Sequence, residues 1–108
     1  MYSLNISKLA ENDISSALTY IAKVLAAPMA ADKLLDEIEK YEEILEDTPS
    51  IYKRVPDEYL AELGLRYVII KNFMMFFTVN EEERTVNVIR FLYGRRDWKY
   101  LLRQGEFI

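Results

Sequence analysis

The sequence contains no cysteine and no histidine. Without cysteine the chain has no disulfide, no thiolate zinc site and no cysteine nucleophile, which is typical of proteins from a reducing cytoplasm. Without histidine it lacks the usual general base at neutral pH and the commonest metal ligand. Any catalysis would depend on Lys, Arg, Tyr, Asp or Glu, and we expect neither a cofactor nor a metal site.

Glycine and proline are scarce, with three of each, and long apolar runs are missing. A length of 108 residues, of which 51% are hydrophobic, predicts one folded domain over residues 1–108. The longest apolar run, near residues 73–79, has the length of a strand and not that of a membrane helix. The amino terminus also lacks the apolar core of a secretion signal. We therefore expect a soluble cytoplasmic protein with no membrane partner.

Charge is distributed unevenly along the chain, whose net charge is −4. Residues 1–52 carry four lysines against ten acidic residues, whereas residues 53–108 carry ten Lys and Arg against eight acidic residues. A protein that coats nucleic acid would be basic over its whole surface. Any site that binds an anion is therefore predicted to occupy a small part of the surface.

The first half of the chain predicts a strand followed by two antiparallel helices. Large and small side chains alternate over residues 2–6, which indicates a short strand, and the Ser7 hydroxyl suits the first turn of a helix. The Ala26-Ala27-Pro28 segment interrupts that helix, because proline does not continue a helix interior but fits the start of the next one. Each helix has an apolar stripe, formed by Ile14, Leu18, Ile21 and Leu25 in the first and by Leu34, Ile38, Tyr41 and Leu45 in the second.

The second half predicts a loop over residues 47–64, with one helical turn near residues 58–63, and then three strands. The strands at residues 66–71, 73–79 and 85–92 are so close in sequence that only antiparallel hairpins can join them. The predicted fold is α+β, in the order β-α-α-β-β-β, with the helices on one face of a mostly antiparallel sheet. The tail after Trp98 is predicted to be too short to pack as an element of its own.

The middle strand of this meander is apolar on both faces, which places it centrally in the sheet. Phenylalanines in a small domain are mostly buried, so a core role is expected for Phe73, Phe76, Phe77 and Phe91. Met74 and Met75 are candidates for the lining of an adaptable groove, since methionine adjusts to varied partners.

A compact basic segment, Gly94-Arg95-Arg96-Asp97-Trp98, follows the last strand and comes directly after Tyr93. Paired guanidiniums beside aromatic rings bind phosphate or carboxylate and are common in protein interfaces. One hypothesis is that Arg95 and Arg96 contact a partner together with Tyr93 and Trp98, with Trp98 half exposed. The alternative is that the arginines form salt bridges with the acidic second helix. Asp97 is a candidate for orienting one of them.

Three further cations are candidates for either structure or function. Arg90 lies in an otherwise apolar strand, so an inward-facing Arg90 needs a carboxylate partner such as Glu11 or Asp13. We favour that structural role and keep contact with a partner as the alternative. Arg66 and Lys71 bracket one predicted strand, where they either frame a basic rim or guard a sheet edge against aggregation.

Residues 55–64 (VPDEYLAELG), residues 72–79 (NFMMFFTV) and residues 94–98 (GRRDW) resemble, in this order, the RelE/ParE superfamily of type II toxins. The likeness is greatest to the ParE-like, or plasmid-stabilisation, branch. The resemblance implies a growth-inhibiting toxin that a cognate antitoxin neutralises. It also implies one of two mechanisms, because RelE-like members cut messenger RNA on the ribosome and ParE-like members poison DNA gyrase.

The resemblance also implies which residues an RNA-cutting member would need. Arg96 matches the arginine that follows the glycine after the last strand, and Arg66 lies roughly where a basic residue leads the first meander strand. Met74 replaces the middle-strand arginine, and Tyr100 is only approximately in the range of the catalytic tyrosine. We therefore expect a binding toxin that is not an enzyme and contacts its target or antitoxin through Arg90, Tyr93, Arg95, Arg96 and Trp98.

Two alternatives to a binding toxin remain open. One is a ribosome-dependent endoribonuclease that uses Arg66, Lys71, Arg96 and Tyr100. The other is a harmless interaction module that retains the fold. An apolar groove beside the helices is expected to make the isolated protein sticky or dimeric.

Overall fold

The computed structural model describes residues 1–105 and contains a four-stranded mixed sheet. Its strands are β1 (Ser3–Ile6), β2 (Arg66–Ile70), β3 (Phe73–Asn80) and β4 (Thr85–Tyr93), in the spatial order β1-β4-β3-β2. Strands β2, β3 and β4 form the predicted antiparallel meander, and β1 pairs with β4 in parallel. The α+β class and the interior position of β3 are confirmed.

Two long helices follow β1: α1 (Lys8–Thr19) and α2 (Pro28–Asp47). The Ser7 hydroxyl accepts a hydrogen bond from the Ala10 amide at 3.0 Å, and Pro28 occupies the first turn of α2, as predicted. A π-helical segment, Tyr20–Val24, extends α1. Its wider turn breaks the 3.6-residue period, so Leu25, which was predicted to lie on the core stripe, is exposed.

Apolar residues cover both faces of the sheet and form two clusters. Met75 and Phe77 pack with α1 and α2 in the first cluster, whereas Phe76 belongs to the second cluster on the opposite face. The predicted core role of the phenylalanines is confirmed for Phe76, Phe77 and Phe91, which are buried, and Phe73 packs against the first cluster. Met75 is fully buried, so its predicted place in a groove is wrong.

Two short helices, α3 (Glu58–Glu62) and α4 (Trp98–Gln104), cover the second cluster. The helix α3 corresponds to the predicted helical turn. The prediction that the tail would not pack is wrong, because Leu102 of α4 is buried against this face of the sheet. The physical reason is that β3 is apolar on both sides, and its second side requires a cover from the end of the chain.

The segment between α2 and α3 contains one 3-10 turn, Pro49–Ile51. Ser50 and Tyr2 both donate hydrogen bonds to the Glu81 carboxylate, at 3.0 Å and 2.6 Å, which connects this segment with the amino terminus and the β3–β4 turn. No helix within residues 1–105 has the length and apolar character needed to cross a bilayer.

Candidate functional site

The basic turn after β4 lies against the turn between β2 and β3. The Gly94 amide donates a hydrogen bond to the Asn72 carbonyl oxygen at 2.8 Å, and the Arg96 amide donates one to the Tyr93 carbonyl oxygen at 3.0 Å. A Cβ atom on residue 94 would lie 3.3 Å from the Asn72 oxygen, so glycine permits this close approach. The backbone of the turn is thereby fixed at the end of the sheet where Lys71 also lies.

The side chains of Arg95 and Arg96 are exposed, and neither forms a salt bridge with any carboxylate of residues 1–105. The alternative that they connect β4 to α2 is therefore wrong for the described part of the chain. Asp97 does not orient them, because its carboxylate accepts a hydrogen bond from the Tyr100 amide at 3.2 Å and caps α4. We call Lys71, Arg95 and Arg96 the basic rim.

Aromatic side chains flank the basic rim and are partly packed. The exposed Tyr93 ring meets the Phe73 ring edge-on, with 5.7 Å between centroids. Trp98 is half-buried, and its ring centroid lies 5.2 Å from that of Phe76. Both rings are therefore anchored to the sheet and still reach solvent, which is the expected exposure for Trp98.

Arg90 is a structural cation. Its Nε and Nη2 atoms donate hydrogen bonds to the two Asp13 carboxylate oxygens at 2.7 Å and 3.0 Å, and this carboxylate also accepts one from the Phe91 amide. The hydrogen bond that Arg90 donates to Asp13 raises the pKa of Arg90. Of the two predicted partners, Glu11 and Asp13, the structure uses Asp13. Because two nitrogens of the guanidinium are bound to Asp13, the geometry does not support Arg90 as a partner-binding residue.

The four residues of the endoribonuclease alternative do not form one cluster. Arg66 begins β2 and Lys71 follows its end, so the two residues lie five positions apart along an extended strand, a distance of roughly 16 Å. Arg66 donates a hydrogen bond to the Tyr52 carbonyl oxygen at 2.5 Å. Arg96 lies at the Lys71 end, and Tyr100 is exposed on α4. The structure therefore brings Lys71 and Arg96 to one end of the sheet and leaves Arg66 at the other.

The centre of the sheet beside the basic rim is apolar. Met74 is the cross-strand neighbour of Ile69 and Leu92, and Ile69 is 58% exposed. The exposure of Ile69 was not predicted from the sequence, because the continuous run Val68-Ile69-Ile70 indicates a strand buried on both faces. The available signal was period-two alternation, which directs Ile69 away from the core side that Val68 and Ile70 share.

A second exposed apolar surface lies where α1 turns into α2. We call Tyr20, Val24, Leu25 and Met29 the hairpin tip; Val24 is 67% exposed and Met29 is 73% exposed. Ala26, within this turn, has a left-handed φ of 52°, which reverses the chain sharply. The predicted groove beside the helices is also present, next to the start of α1, where Ile6, Leu9 and Leu101 line it.

An ion pair between Asp57, which caps α3, and Arg103 connects α4 to α3. Arg103 Nη2 donates a hydrogen bond to Asp57 Oδ1 at 2.6 Å, and the Leu60 amide donates one to Oδ2 at 3.0 Å. Asp57 is only 7% exposed. The Arg103 hydrogen bond, followed by the Leu60 amide, lowers the pKa of Asp57 below its ordinary value.

This lowered pKa predicts acid sensitivity. The Asp57 carboxylate stabilises the fold at pH values above its unfolded pKa of about 4, and this stabilisation is lost as the pH falls through the lower folded pKa. Asp57→Asn is expected to lose less stability between pH 5 and pH 2 than the parent chain, as measured by urea unfolding. Glu58→Gln, at an exposed neighbouring site, is the control. Equal acid sensitivity of Asp57→Asn and the parent would contradict this assignment.

The chain is similar to known proteins in sequence and in fold. The model of the family "ParE toxin of type II toxin-antitoxin system, parDE" matches residues 4–98. No curated protein matches the chain. Solved structures also share the fold at low sequence identity. A chain of the chromosomal ParDE toxin–antitoxin system from P. aeruginosa superposes with a TM-score of 0.68 and 21% identity, covering 86% of this chain and 96% of that one.

Two other such structures are a chain of the RelBE2 toxin–antitoxin complex from Mycobacterium tuberculosis and one of the archaeal RelE–RelB complex from Pyrococcus horikoshii. Their TM-scores are 0.58 and 0.53, with 15% and 14% identity. The first alignment covers 85% of this chain and 96% of that chain, and the second covers 88% and 97%. Because the family model extends over most of the sequence, the chain belongs to the ParE toxin family of type II toxin–antitoxin systems.

Proposed function

We propose that this toxin inhibits growth by binding an essential cytoplasmic target, such as DNA gyrase, and that it does not cut RNA. The observation that carries this proposal is the pair of exposed, unbridged arginines, Arg95 and Arg96, on a turn whose backbone is fixed. Arginine with neighbouring Tyr and Trp is the composition that dominates binding energy in protein interfaces. Such a turn favours recognition of a partner's surface.

The geometry argues against RNA cleavage. Cleavage through a 2′-hydroxyl needs a base, cations for the charge that develops on phosphorus, and an acid for the leaving oxygen. Arg66 lies at the far end of β2, and Met74 offers no charge. Each missing preorganised donor costs roughly 100- to 1000-fold in comparable sites. A net charge of −4 also disfavours residence among ribosomal RNA, where phosphate contacts supply much of the affinity.

Inducible expression in bacteria tests the proposal. We expect growth arrest with filamentation and DNA-damage signalling, while messenger RNA on ribosomes stays intact. Rapid cleavage of ribosome-bound messages would instead support the endoribonuclease. Normal growth at confirmed expression would support a harmless module that retains the fold. A supercoiling assay with purified gyrase then checks the target directly, and unimpaired supercoiling at saturating toxin excludes gyrase.

The cognate antitoxin covers the hairpin tip in this proposal. The tip exposes four large apolar side chains within ten residues, and such exposed patches are typical of interaction sites. The adjoining helix α2 is rich in exposed acids, among them Asp32, Asp36, Glu39 and Glu43. An amphipathic antitoxin segment with basic flanks would complement this combination. Without it, the tip also offers a contact for a homodimer.

We expect Met29→Glu to weaken binding of the protein encoded by the adjacent reading frame at least tenfold. A charge at the centre of an apolar interface is desolvated without a partner, and a tenfold loss corresponds to about 1.4 kcal/mol. Lys23→Gln, in the same turn, is the control that should bind normally. Isothermal titration measures affinity, and sedimentation measures self-association of the toxin alone. Unchanged affinity of Met29→Glu would exclude the tip as the antitoxin site.

A further inference from the structure

The basic rim borders an apolar surface on the sheet. Ile69 and Met74 are cross-strand neighbours, and a Cβ atom on residue 94 would lie 3.9 Å from Met74 Cγ. The exposed Ile69 side chain, the half-buried Met74 and the start of the basic turn are therefore continuous. Cations stand at two borders of this surface, Lys71 on the β2–β3 turn and Arg95 and Arg96 on the turn after β4.

Lys71 occupies a backbone conformation that favours glycine. Its φ is 57°, in the left-handed region, where a side chain crowds the backbone. A two-residue β-hairpin loop such as Lys71-Asn72 commonly requires a positive φ at one or both of its central residues. Asn72, the neighbour of Lys71, accepts the Gly94 hydrogen bond, so the two turns are directly connected. Lys71 is thereby held at the same end of the sheet as the arginines, and it is exposed.

We propose that Ile69, Lys71, Met74, Arg95 and Arg96 form one docking surface for an acidic segment of a partner protein that carries a large apolar side chain. The apolar side chain packs on Ile69 and Met74, and Asp or Glu residues beside it pair with the basic rim. This inference rests on the proposed function, and it specifies the chemistry of the partner.

A protein segment fits this surface better than a polynucleotide does. Nucleic-acid affinity comes from many phosphate contacts along a basic path, whereas three cations at one end of a molecule with a net charge of −4 provide a short one. The Ile69 and Met74 side chains offer nothing to a phosphate. Methionine adapts to apolar partners of different shape, and the Arg fork binds carboxylates with two hydrogen bonds.

Selection from a displayed library of random 15-residue peptides tests the proposal without knowledge of the natural partner. We expect the enriched peptides to combine Asp or Glu with Leu, Ile, Phe or Trp. For a selected peptide, Lys71→Asn and Ile69→Asp should each reduce affinity about tenfold in fluorescence polarisation. Asparagine tolerates a left-handed φ, so Lys71→Asn removes the charge without added backbone strain.

The far end of β2 supplies matched controls. Lys53 lies near the start of β2, because its carbonyl oxygen accepts a hydrogen bond from the Tyr67 amide. Both Lys53 and the nearby Ile51 are exposed. Lys53→Asn and Ile51→Asp should bind the peptide normally. Enriched peptides without acidic residues, no enrichment, or equal losses in the controls would overturn the proposal. Tighter binding of a 20-base-pair DNA duplex than of the peptides would also overturn the proposal, if Lys71→Asn and Ile69→Asp each abolished that binding.

Growth arrest is measured separately for each variant, which distinguishes this inference from the proposed function. If the parent chain arrests growth and selects no acidic peptides, the docking chemistry is wrong and the toxin function stands. If acidic peptides bind as expected and the parent chain leaves growth normal, the proposed growth inhibition fails and the docking surface stands.

Discussion

The double substitution Arg95→Ala/Arg96→Ala is expected to abolish growth arrest while leaving the fold intact. Both side chains are exposed and form no salt bridge within residues 1–105, so each change should alter the free energy of unfolding by less than about 0.5 kcal/mol. Loss of two arginines from an interface typically removes a large share of its binding energy. Plating efficiency under induction measures the effect, and urea unfolding of purified protein confirms the fold.

Two further variants make the interpretation of this result specific. Lys23→Ala/Lys33→Ala removes two exposed cations from the helical hairpin and should remain fully toxic if position, and not net charge, matters. Arg95→Lys/Arg96→Lys retains the charges and loses the planar fork, so partial toxicity is expected. Growth arrest at the parent level by the double alanine variant would show that the toxin acts through other residues.

The largest expected effect on stability comes from Asp13→Ala, which should lower the free energy of unfolding by about 3 kcal/mol. Removal of the carboxylate leaves the mostly buried Arg90 guanidinium without its partner and the Phe91 amide without its acceptor. An uncompensated charge of this kind is far more costly than the loss of an exposed pair. Because domains of this size are stable by roughly 5–15 kcal/mol, urea unfolding at pH 7 should show the change clearly.

The exposed Glu11, two residues earlier on α1, provides the control, and Glu11→Ala should change stability by less than about 0.5 kcal/mol. Removal of both partners in Asp13→Ala/Arg90→Ala should restore part of the loss, since no lone charge then remains. If Asp13→Ala and Glu11→Ala were equally stable, the Arg90 pair would contribute nothing to the fold.

Elements set by local chemistry were predictable from the sequence. Ser7 caps α1 through its own side chain, and Pro28 starts α2 because its ring fits only the first turn of a helix. The apolar run of β3 required an interior position in the sheet. Arg90 lies in the sequence between the apolar residues Ile89 and Phe91, so its charge required a nearby carboxylate partner. Asp13 supplies that carboxylate.

Elements set by contacts distant in sequence were not predictable. The register between β3 and β4 shifts between Phe76 and Phe77, so β4 contains one extra residue, Ile89. This bulge reverses the alternation and sends Phe91 to the cluster under α1 and α2 and Leu92 to the opposite cluster. The helix α4 likewise depends on Asp57, which is 46 residues away from Arg103.

The sequence by itself determined the α+β order, the central apolar strand and the presence of paired arginines after the last strand, because each follows from periodicity, capping or composition along a short segment. Only the tertiary structure decided that these arginines have no carboxylate partner within residues 1–105, whereas Arg90 has one. It also decided that Lys71 lies at the same end of the sheet as these arginines and Arg66 at the other end. The physical reason is that strand register and turn geometry set which side chains meet, and neither is encoded in the residues of one segment alone.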